Sequence, residues 1–192
     1  MSQTFTYDVF SSLDGYASAG EHWGGYWGKQ GPELLARRLA IYSEPCLLIL
    51  GAATYRLFAH FLATEPPDSE VFDPWVSAML GQPMLVISTS LREPLELPNA
   101  RLERGDATEV VARLREESSV PLRSHGSIRM NRALLNAGLV DIVQLTVFPA
   151  LTGASGSDRI FAEVGDFDLE LLDARLLDSR TQELSYRPTP HP

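Results

Sequence analysis

The chain has 192 residues, of which 44% are hydrophobic and 21% charged, and a formal net charge of −9. This length and composition predict a single globular domain over residues 1–192 and exclude a disordered or fibrous protein. Because fifteen of the 16 basic residues are arginines scattered along an acidic chain, we do not expect nucleic acid as a partner, which requires clustered Lys and Arg.

Sequence patterns and cysteine content also limit where the protein is located and whether it binds a metal. The N-terminal residues lack the basic and apolar pattern of a secretory signal, and no window approaches the roughly 20 apolar residues of a membrane span. We therefore expect a cytoplasmic protein that does not bind membranes. The single cysteine, Cys46, excludes an internal disulfide and, with only four histidines, a cysteine-rich metal site.

Strand-like and helix-like patterns alternate along most of the chain. The strand-like segments are TFTYDVF, CLLILG, MLVIST, VPLR and IVQLTVFP, and the helical patterns are PELLARRLAIY, AATYRLFAHFL, ATEVVARLREE and SIRMNRALLNAG. Ser127 is placed as the N-cap of the last helix, and Gly138 as its C-terminal stop. Arg37 and Arg38 on the first helix are expected on a solvated face. This alternation predicts a mostly parallel sheet with helices on both faces.

The C-terminal part has a different pattern. The segments DLELLDARLLD and TQELSYRPT resemble two strands joined by a tight turn at residues 178–180, which predicts an antiparallel hairpin. The predicted fold is therefore a three-layer α/β/α domain whose mostly parallel central sheet is finished by a C-terminal antiparallel hairpin. Alternating leucines on the first hairpin strand leave an apolar face, from which we expect a homodimer.

Several predicted strand ends carry small or polar residues. His125-Gly126-Ser127 leads from a strand into a helix, where glycine admits a ligand to the backbone and free helix amides favour an anion. Gly51 begins a second such junction, and the segments VISTSLRE and PALTGASGSDRIF follow two further strands. Each segment has an ordinary alternative, a capped turn or a polar loop. Because parallel strand ends face one crevice, together they outline a site for an elongated polyanionic cofactor.

The segments SSLDGYA, LGAATYRLF, LVISTSL and SHGSIRMNRALLNAGLVDIVQLTVFPALTGASGSDRIF, in this order, resemble the dihydrofolate-reductase-like superfamily. The branch they resemble includes the C-terminal reductase domain of bacterial riboflavin biosynthesis, and the resemblance extends over about residues 7–186. It implies hydride transfer from NADPH, with NADH not excluded, to a small, flat, conjugated substrate that is pterin- or pyrimidine-like. The alternative is a non-catalytic dinucleotide- or ligand-binding protein that retains the fold.

The resemblance also implies which residues contact the cofactor. Gly51 and Thr54 flank the adenosine side, residues 88–90 the adenosine phosphate, 126–129 the diphosphate and 151–153 the nicotinamide half. The backbone of Phe10 borders the nicotinamide ring. His125 is added from its position before Gly126, as a residue that binds phosphate, with a packed or solvated histidine as the alternative. The full set of expected cofactor-binding residues is Phe10, Gly51, Ala52, Ala53, Thr54, Ser88, Thr89, Ser90, His125, Gly126, Ser127, Ile128, Arg129, Leu151, Thr152 and Gly153.

Two positions depart from the family pattern. Family members commonly have a basic residue after the glycine that Gly51 matches, but this chain has Ala52. Selection of NADPH over NADH would then depend on Arg56 or Arg92. The riboflavin reductases have a substrate-contacting glutamate where this chain has Ser124, so the riboflavin intermediate is not the expected substrate. Folate is not expected either, because the acid and tryptophan spacing of dihydrofolate reductases is missing.

The substrate side is predicted from acids and aromatic residues near the expected pocket. Asp14 and Glu33 are the candidate catalytic acids, with a turn residue and a helix first-turn carboxylate as the respective alternatives. Trp23 and Trp27 lie in the glycine-rich segment EHWGGYWGKQG and either cap the substrate or hold a long loop against the core. The expected substrate-binding residues are Asp14, Trp23, Trp27 and Ser124, and no metal is expected.

Overall fold

The computed structural model describes residues 2–19, 30–66, 68–69 and 72–191. Along these residues the strands are β1 (Phe5–Ser12), β2 (Tyr16–Ala19), β3 (Leu47–Gly51), β4 (Met84–Ile87), β5 (Ala100–Glu103), β6 (Leu122–His125), β7 (Ile142–Phe148), β8 (Gly156–Arg159), β9 (Phe167–Leu177) and β10 (Thr181–Pro190). The helices are α1 (Pro32–Ser43), α2 (Ala52–Thr64), α3 (Pro74–Leu80), α4 (Ala107–Glu117) and α5 (Ile128–Asn136), with a short 3-10 helix at Gly153–Ser155.

Eight strands form one sheet in the order β5-β4-β3-β6-β1-β7-β10-β9. Neighbouring strands from β5 to β7 are parallel, whereas β10 pairs antiparallel with both β7 and β9. The predicted mostly parallel sheet with a C-terminal antiparallel hairpin is therefore confirmed. The sequence patterns do not predict α3, β5 or the small antiparallel sheet of β2 and β8. Each is seven residues or shorter, too short to establish a period.

Alternate residues of β1 pack on opposite sides of the sheet. Phe5, Tyr7 and Val9 belong to a core shared with α4 and α5, while Phe10 belongs to a core shared with α1, α2 and α3. This alternation is the period of a strand that is buried on both faces, with all eight residues of β1 buried. The three-layer α/β/α prediction is confirmed.

The hairpin turn between β9 and β10 fixes the start of α1. The Asp178 carboxylate accepts hydrogen bonds from the Glu33 and Leu34 amides at 2.9 and 3.0 Å, which satisfies two donors of the first helical turn. A Cβ at Gly31 would lie 2.3 Å from Cγ of Asp178, so a larger residue there would displace the carboxylate from the helix amides. The C-terminal hairpin is thereby joined to the helix that covers β1. No helix in the described part of the chain is long and apolar enough to cross a bilayer.

Candidate functional site

A cavity of about 700 Å³ lies at the carboxyl ends of the parallel strands. Its walls include Val9 of β1, the ends of β3, β4 and β6, the first turns of α2 and α5, and part of the small sheet of β2 and β8. Residues 51–54 and 125–129, all predicted to bind cofactor, line it together. The two predicted strand-to-helix junctions therefore face one crevice, as expected for parallel strands.

The two junctions are hydrogen-bonded to each other. Gly126 and Ser127 both have left-handed backbone, with φ of 65° and 47°. The Ser127 hydroxyl accepts a hydrogen bond from the Gly51 amide at 3.0 Å, and the Ser127 amide donates to Oγ1 of Thr54 at 2.9 Å. Ser127 occupies the predicted N-cap position, but its side chain makes no capping hydrogen bond to α5. The first-turn amides of α5 are thus not capped by that side chain.

This side of the cavity favours negative charge. The first-turn N–H groups of a helix lack intrahelical acceptors and carry the positive end of its dipole. Neither α2 nor α5 has an acidic residue in its first turn. Arg129 adds a cation to the lining, while Asp158, which accepts a hydrogen bond from Ser18 at 3.0 Å, places one carboxylate on the wall formed by the small sheet. The arrangement suits a phosphate group next to α2 and α5.

The rest of the lining is largely apolar and was not predicted. Leu57, Phe58 and Phe61 extend from α2, and Val9 and Ile87 from the sheet. The three α2 residues lie one to two turns after the predicted 51–54 segment, so helical spacing could have identified them. Ala17 and Ser157, from β2 and β8, lie in the segments SSLDGYA and PALTGASGSDRIF, which the sequence analysis had singled out without naming these two residues.

Seven of the predicted cofactor residues lie outside this lining. Phe10 is buried, with its ring 4.9 Å from the ring of His125. The Ser88 hydroxyl accepts hydrogen bonds from the amides of Ser90 and Leu91, both at 3.1 Å, and so closes the turn after β4. This turn follows Ile87, which does line the cavity. The remaining members of the seven are Thr89, Ser90, Leu151, Thr152 and Gly153.

Asp14 joins two loops rather than pointing into the cavity. Its carboxylate accepts hydrogen bonds from the amides of Thr152 and Gly153, at 3.1 and 2.8 Å. Hydrogen bonds from the Ser12 side chain and the Gly153 amide hold the pKa of Asp14 well below its usual range. Leu151, next in the same loop, is 75% exposed.

Glu33 and Ser124, two further predicted substrate-side residues, also lie apart from the cavity lining. Glu33 is exposed and accepts a hydrogen bond from the Asp178 amide at 2.5 Å. Ser124 is fully buried, and its hydroxyl accepts a hydrogen bond from Nδ2 of Asn131 at 2.8 Å. Trp23 and Trp27 lie outside the described residues. The catalytic and substrate-binding roles of these residues stay predictions.

A buried charged cluster next to the cavity was missed by the sequence analysis. Asp8 on β1 and Arg38 on α1 form a two-point ion pair with no exposed side-chain surface. The Tyr42 hydroxyl donates to Oδ2 of Asp8 at 2.7 Å, and Nδ1 of His125 lies 3.3 Å from the same oxygen. The expectation of a solvated face is wrong for Arg38, because Asp8 lies opposite it in the core. The available signal was a carboxylate inside the apolar segment TFTYDVF.

Neighbouring charges outweigh the effect of burial on the pKa of Asp8 but not on the pKa of His125. Burial raises the pKa of Asp8, but the Arg38 charge, together with His125, outweighs it and holds that pKa well below its usual value. Burial lowers the pKa of His125, and the neighbouring Arg38 and Arg123 lower it further against the attraction of Asp8. The cluster therefore contains an ionised pair and a neutral imidazole at neutral pH.

Metal ligation has no support in the described ranges, where no group of three or more His, Cys, Asp and Glu side chains is placed to hold an ion.

Comparison with known proteins relates both the fold and the sequence to one family. Residues 3–182 match the sequence profile of the RibD C-terminal domain. A search of curated protein sequences finds no significant match. A putative riboflavin biosynthesis protein from Shewanella sp. PV-4 has a similar structure, with a TM-score of 0.73 and 19% identity over 97% of this chain and 99% of that one.

Two further solved structures are similar over nearly the whole chain. A pyrimidine reductase-like protein from Corynebacterium diphtheriae has a TM-score of 0.62 and 14% identity, over 98% of this chain and 93% of that one. The riboflavin biosynthesis reductase Rib7 of Saccharomyces cerevisiae has a TM-score of 0.60 and 16% identity, over 98% and 90%. At these identities the likeness shows a common fold.

Proposed function

The chain belongs to the RibD C-terminal domain family, as the sequence resemblance predicted, and on this premise we propose that it is a nicotinamide-dinucleotide-dependent reductase. Its substrate is a small, flat, conjugated molecule that is pterin- or pyrimidine-like. The observation that carries the proposal is that the first turns of α2 and α5 lie side by side in the wall of one cavity. Two solved proteins of the same fold are named as a riboflavin biosynthesis reductase and a pyrimidine reductase-like protein.

The residues present suit the diphosphate of a dinucleotide. The first-turn amides of α2 and α5 are the natural donors, and Arg129 supplies a countercharge. Gly126 has a φ of 65° and no side chain, so a ligand can approach its backbone closely. When bound, the dinucleotide supplies the hydride. The protein's part is to hold the two reactants in register and to exclude water, for which the apolar α2 wall is suited.

Arg56 is the best candidate for selecting NADPH over NADH. It lies one helical turn after Ala52, on the same face of α2, and so can replace the basic residue that the family commonly has after its glycine. Its Nη2 donates a hydrogen bond to Oγ of Ser90 at 3.0 Å, at the turn after β4. An exposed guanidinium beside serine hydroxyls is suited to a phosphate on the adenosine ribose. The preferred cofactor is accordingly NADPH.

Asp14 is better suited to holding a loop than to delivering a proton. A carboxyl whose pKa lies well below its usual range stays ionised at neutral pH, and an ionised carboxylate has no proton to give. By accepting hydrogen bonds from Thr152 and Gly153, it fixes the loop that follows β7 beside the turn that follows β1. Glu33 lies apart from the cavity lining, so its role as a proton donor stays a prediction.

A homodimer through the C-terminal hairpin is the proposed assembly. Leu169, Leu171 and Leu176 on β9 are 50%, 54% and 62% exposed. The register of β9 against β10 shifts by one residue beside Leu171, so leucines on both sides of the shift share one face of the sheet. A contiguous apolar face on an edge strand is typical of a subunit interface.

Cofactor titration followed by substrate screening tests the proposed function. Quenching or enhancement of NADPH and NADH fluorescence by the pure protein measures binding, and loss of absorbance at the nicotinamide band measures turnover against pterins, pyrimidines and quinones. Binding with oxidation of NADPH by one of these classes is the expected result. Binding without turnover across the whole panel would favour the alternative, a non-catalytic dinucleotide-binding protein. The departures from the family pattern at Ala52 and Ser124 support that alternative. Failure to bind either dinucleotide would contradict both.

A further inference from the structure

His125 lies between the cavity and the buried charged cluster. It belongs to the cavity lining, yet only 2% of the residue is exposed. Its ring centroid lies 4.9 Å from that of Phe10 and 6.3 Å from that of Phe58, so its surroundings are aromatic. Within the described part of the chain, Nε2 of this ring is buried without a hydrogen-bond partner. A buried polar atom without a partner costs about 1–3 kcal/mol, which calls for a physical reason.

The other ring nitrogen is held by the ion pair. Nδ1 lies 3.3 Å from Oδ2 of Asp8 and 3.3 Å from Nη2 of Arg38. Nη2 already has two acceptors for its two hydrogens, Oδ2 of Asp8 at 2.5 Å and the Tyr42 hydroxyl at 3.2 Å. The carboxylate has no hydrogen to offer and therefore accepts. This distribution of hydrogens gives Nδ1 a proton, which it donates to Asp8.

The tautomer with its hydrogen on Nε2 is disfavoured because that hydrogen would have no acceptor among the described residues. Buried N–H groups without acceptors are rarer in proteins than acceptors without donors. Burial and the charges of Arg38 and Arg123 lower the pKa of His125 and keep the ring neutral. Nε2 therefore carries a lone pair that can accept a hydrogen bond, and the contacts of Nδ1 with Asp8 and Arg38 hold the ring in its orientation.

We propose that Nε2 of His125 accepts a hydrogen bond from an N–H or O–H group on the nicotinamide riboside half of the bound dinucleotide, and that Asp8 and Arg38 are positioning residues for this contact. The inference rests on the proposed function. His125 directly precedes Gly126, beside the expected diphosphate site, and its ring contacts Phe10, the residue expected to border the nicotinamide. The carboxamide amine and the ribose hydroxyls are the donors that this half carries.

A fixed acceptor restrains the group that donates to it, and so contributes to orientation more than to overall affinity. The contact predicts that His125→Asn lowers kcat about 10-fold while changing the Kd for NADPH less than about 3-fold. An equal fold loss of kcat and of affinity for NADPH would mean that the ring only supports the shape of the cavity.

Nitrogen NMR of the histidine rings tests the proposal on the wild-type protein. The protein is labelled with ¹⁵N-histidine, and the ring signals of His125 are assigned by elimination with His60→Gln, His191→Gln and His22→Gln. The first two of these variants replace exposed residues. In the free protein we expect Nδ1 of His125 to be protonated and Nε2 unprotonated. Saturating NADPH shifts the Nε2 resonance toward the hydrogen-bonded value, whereas 2′,5′-ADP, which lacks the nicotinamide half, leaves it in place.

Three outcomes would overturn the proposal: a protonated Nε2 in the free protein, an unchanged Nε2 with NADPH bound, or an equal shift with 2′,5′-ADP. Fluorescence titration in the same buffer shows whether NADPH is bound, so a failure of the proposed function is distinguishable from a failure of the contact. Asp8→Asn tests the positioning role, because an amide that can donate or accept is expected to give a mixture of tautomers. A single unchanged tautomer in a folded Asp8→Asn protein would remove Asp8 from the arrangement.

Discussion

Asp8 and Arg38 form a two-point ion pair that is completely buried between β1 and α1, with Nη1–Oδ1 and Nη2–Oδ2 distances of 2.9 and 2.5 Å. Removing one partner leaves a charge in the core, which costs about 3–5 kcal/mol. Arg38→Met is therefore expected to lower the free energy of unfolding by about 3–5 kcal/mol, measured by urea denaturation at neutral pH.

The double variant Asp8→Leu, Arg38→Met is expected to recover part of that loss, because neither charge of the buried pair is then left without its partner. Recovery is incomplete because Arg123, 3.7 Å from Oδ2 of Asp8, and the Tyr42 hydroxyl both lose a partner. Arg113→Met is the control. Arg113 pairs with Glu117 on the surface at 2.9 Å, and its removal should change stability by less than about 1 kcal/mol. An Arg38→Met protein as stable as the Arg113→Met protein would contradict the assigned burial.

His125 makes stability depend on pH in a predictable direction. Its pKa is lowered by burial in the folded protein, so the unfolded chain binds more protons below its usual pKa of about 6.5. The contribution is fully present above that pH and is lost as the pH falls toward the folded pKa, with a slope of at most about 1.4 kcal/mol per pH unit. Urea denaturation of wild type and His125→Asn at several pH values between 7 and 5 measures it. Parallel curves for the two proteins would contradict a depressed pKa.

Arg56 is expected to carry the preference for NADPH. Arg56→Gln removes a charge-assisted contact, so we expect the Kd for NADPH to rise about 10-fold or more while the Kd for NADH changes less than about 2-fold. Fluorescence titration with both dinucleotides measures the ratio, and Arg113→Gln is the matched surface control. Equal losses for the two cofactors would show that Arg56 does not contact the additional phosphate.

Leucines of β9 are expected to hold the dimer. Leu171→Asp with Leu176→Asp introduces two carboxylates on the exposed apolar face and should convert a dimer into a monomer in sedimentation velocity. Leu39→Asp is the control, since Leu39 is a partly exposed leucine on α1, outside the hairpin. A monomeric wild-type protein at all concentrations would refute the assembly outright.

The two strand-to-helix junctions that line the cavity could be predicted because their signals are local. Each strand-to-helix junction is a short contiguous segment, and the position of Gly126 and Ser127 after a strand is visible in the sequence. Parallel pairing of β1, β3 and β6 then brings the junctions together without further information.

The buried cluster could not be predicted in the same way. Its members are far apart in the chain: Asp8 and Arg38 are 30 residues apart, and Asp8 and His125 are 117 apart. Taken singly, Arg38 has the position of an ordinary exposed helix residue. Only the approach of α1 to β1 converts these residues into one buried group, and no local pattern encodes that approach. The pairing of β2 with β8, about 140 residues apart, was missed for the same reason.

The most direct test of the central claim, that a dinucleotide diphosphate binds between the first turns of α2 and α5, is NADPH titration of an Ala53 variant pair. Ala53 is exposed in the first turn of α2 and lines the cavity, and an acidic residue at that position is compatible with the helix dipole. Ala53→Glu should therefore remain folded but lose NADPH binding by charge repulsion, whereas Ala53→Gln, of the same size, should retain most of it. Equal affinity of wild type and Ala53→Glu for NADPH would contradict the account.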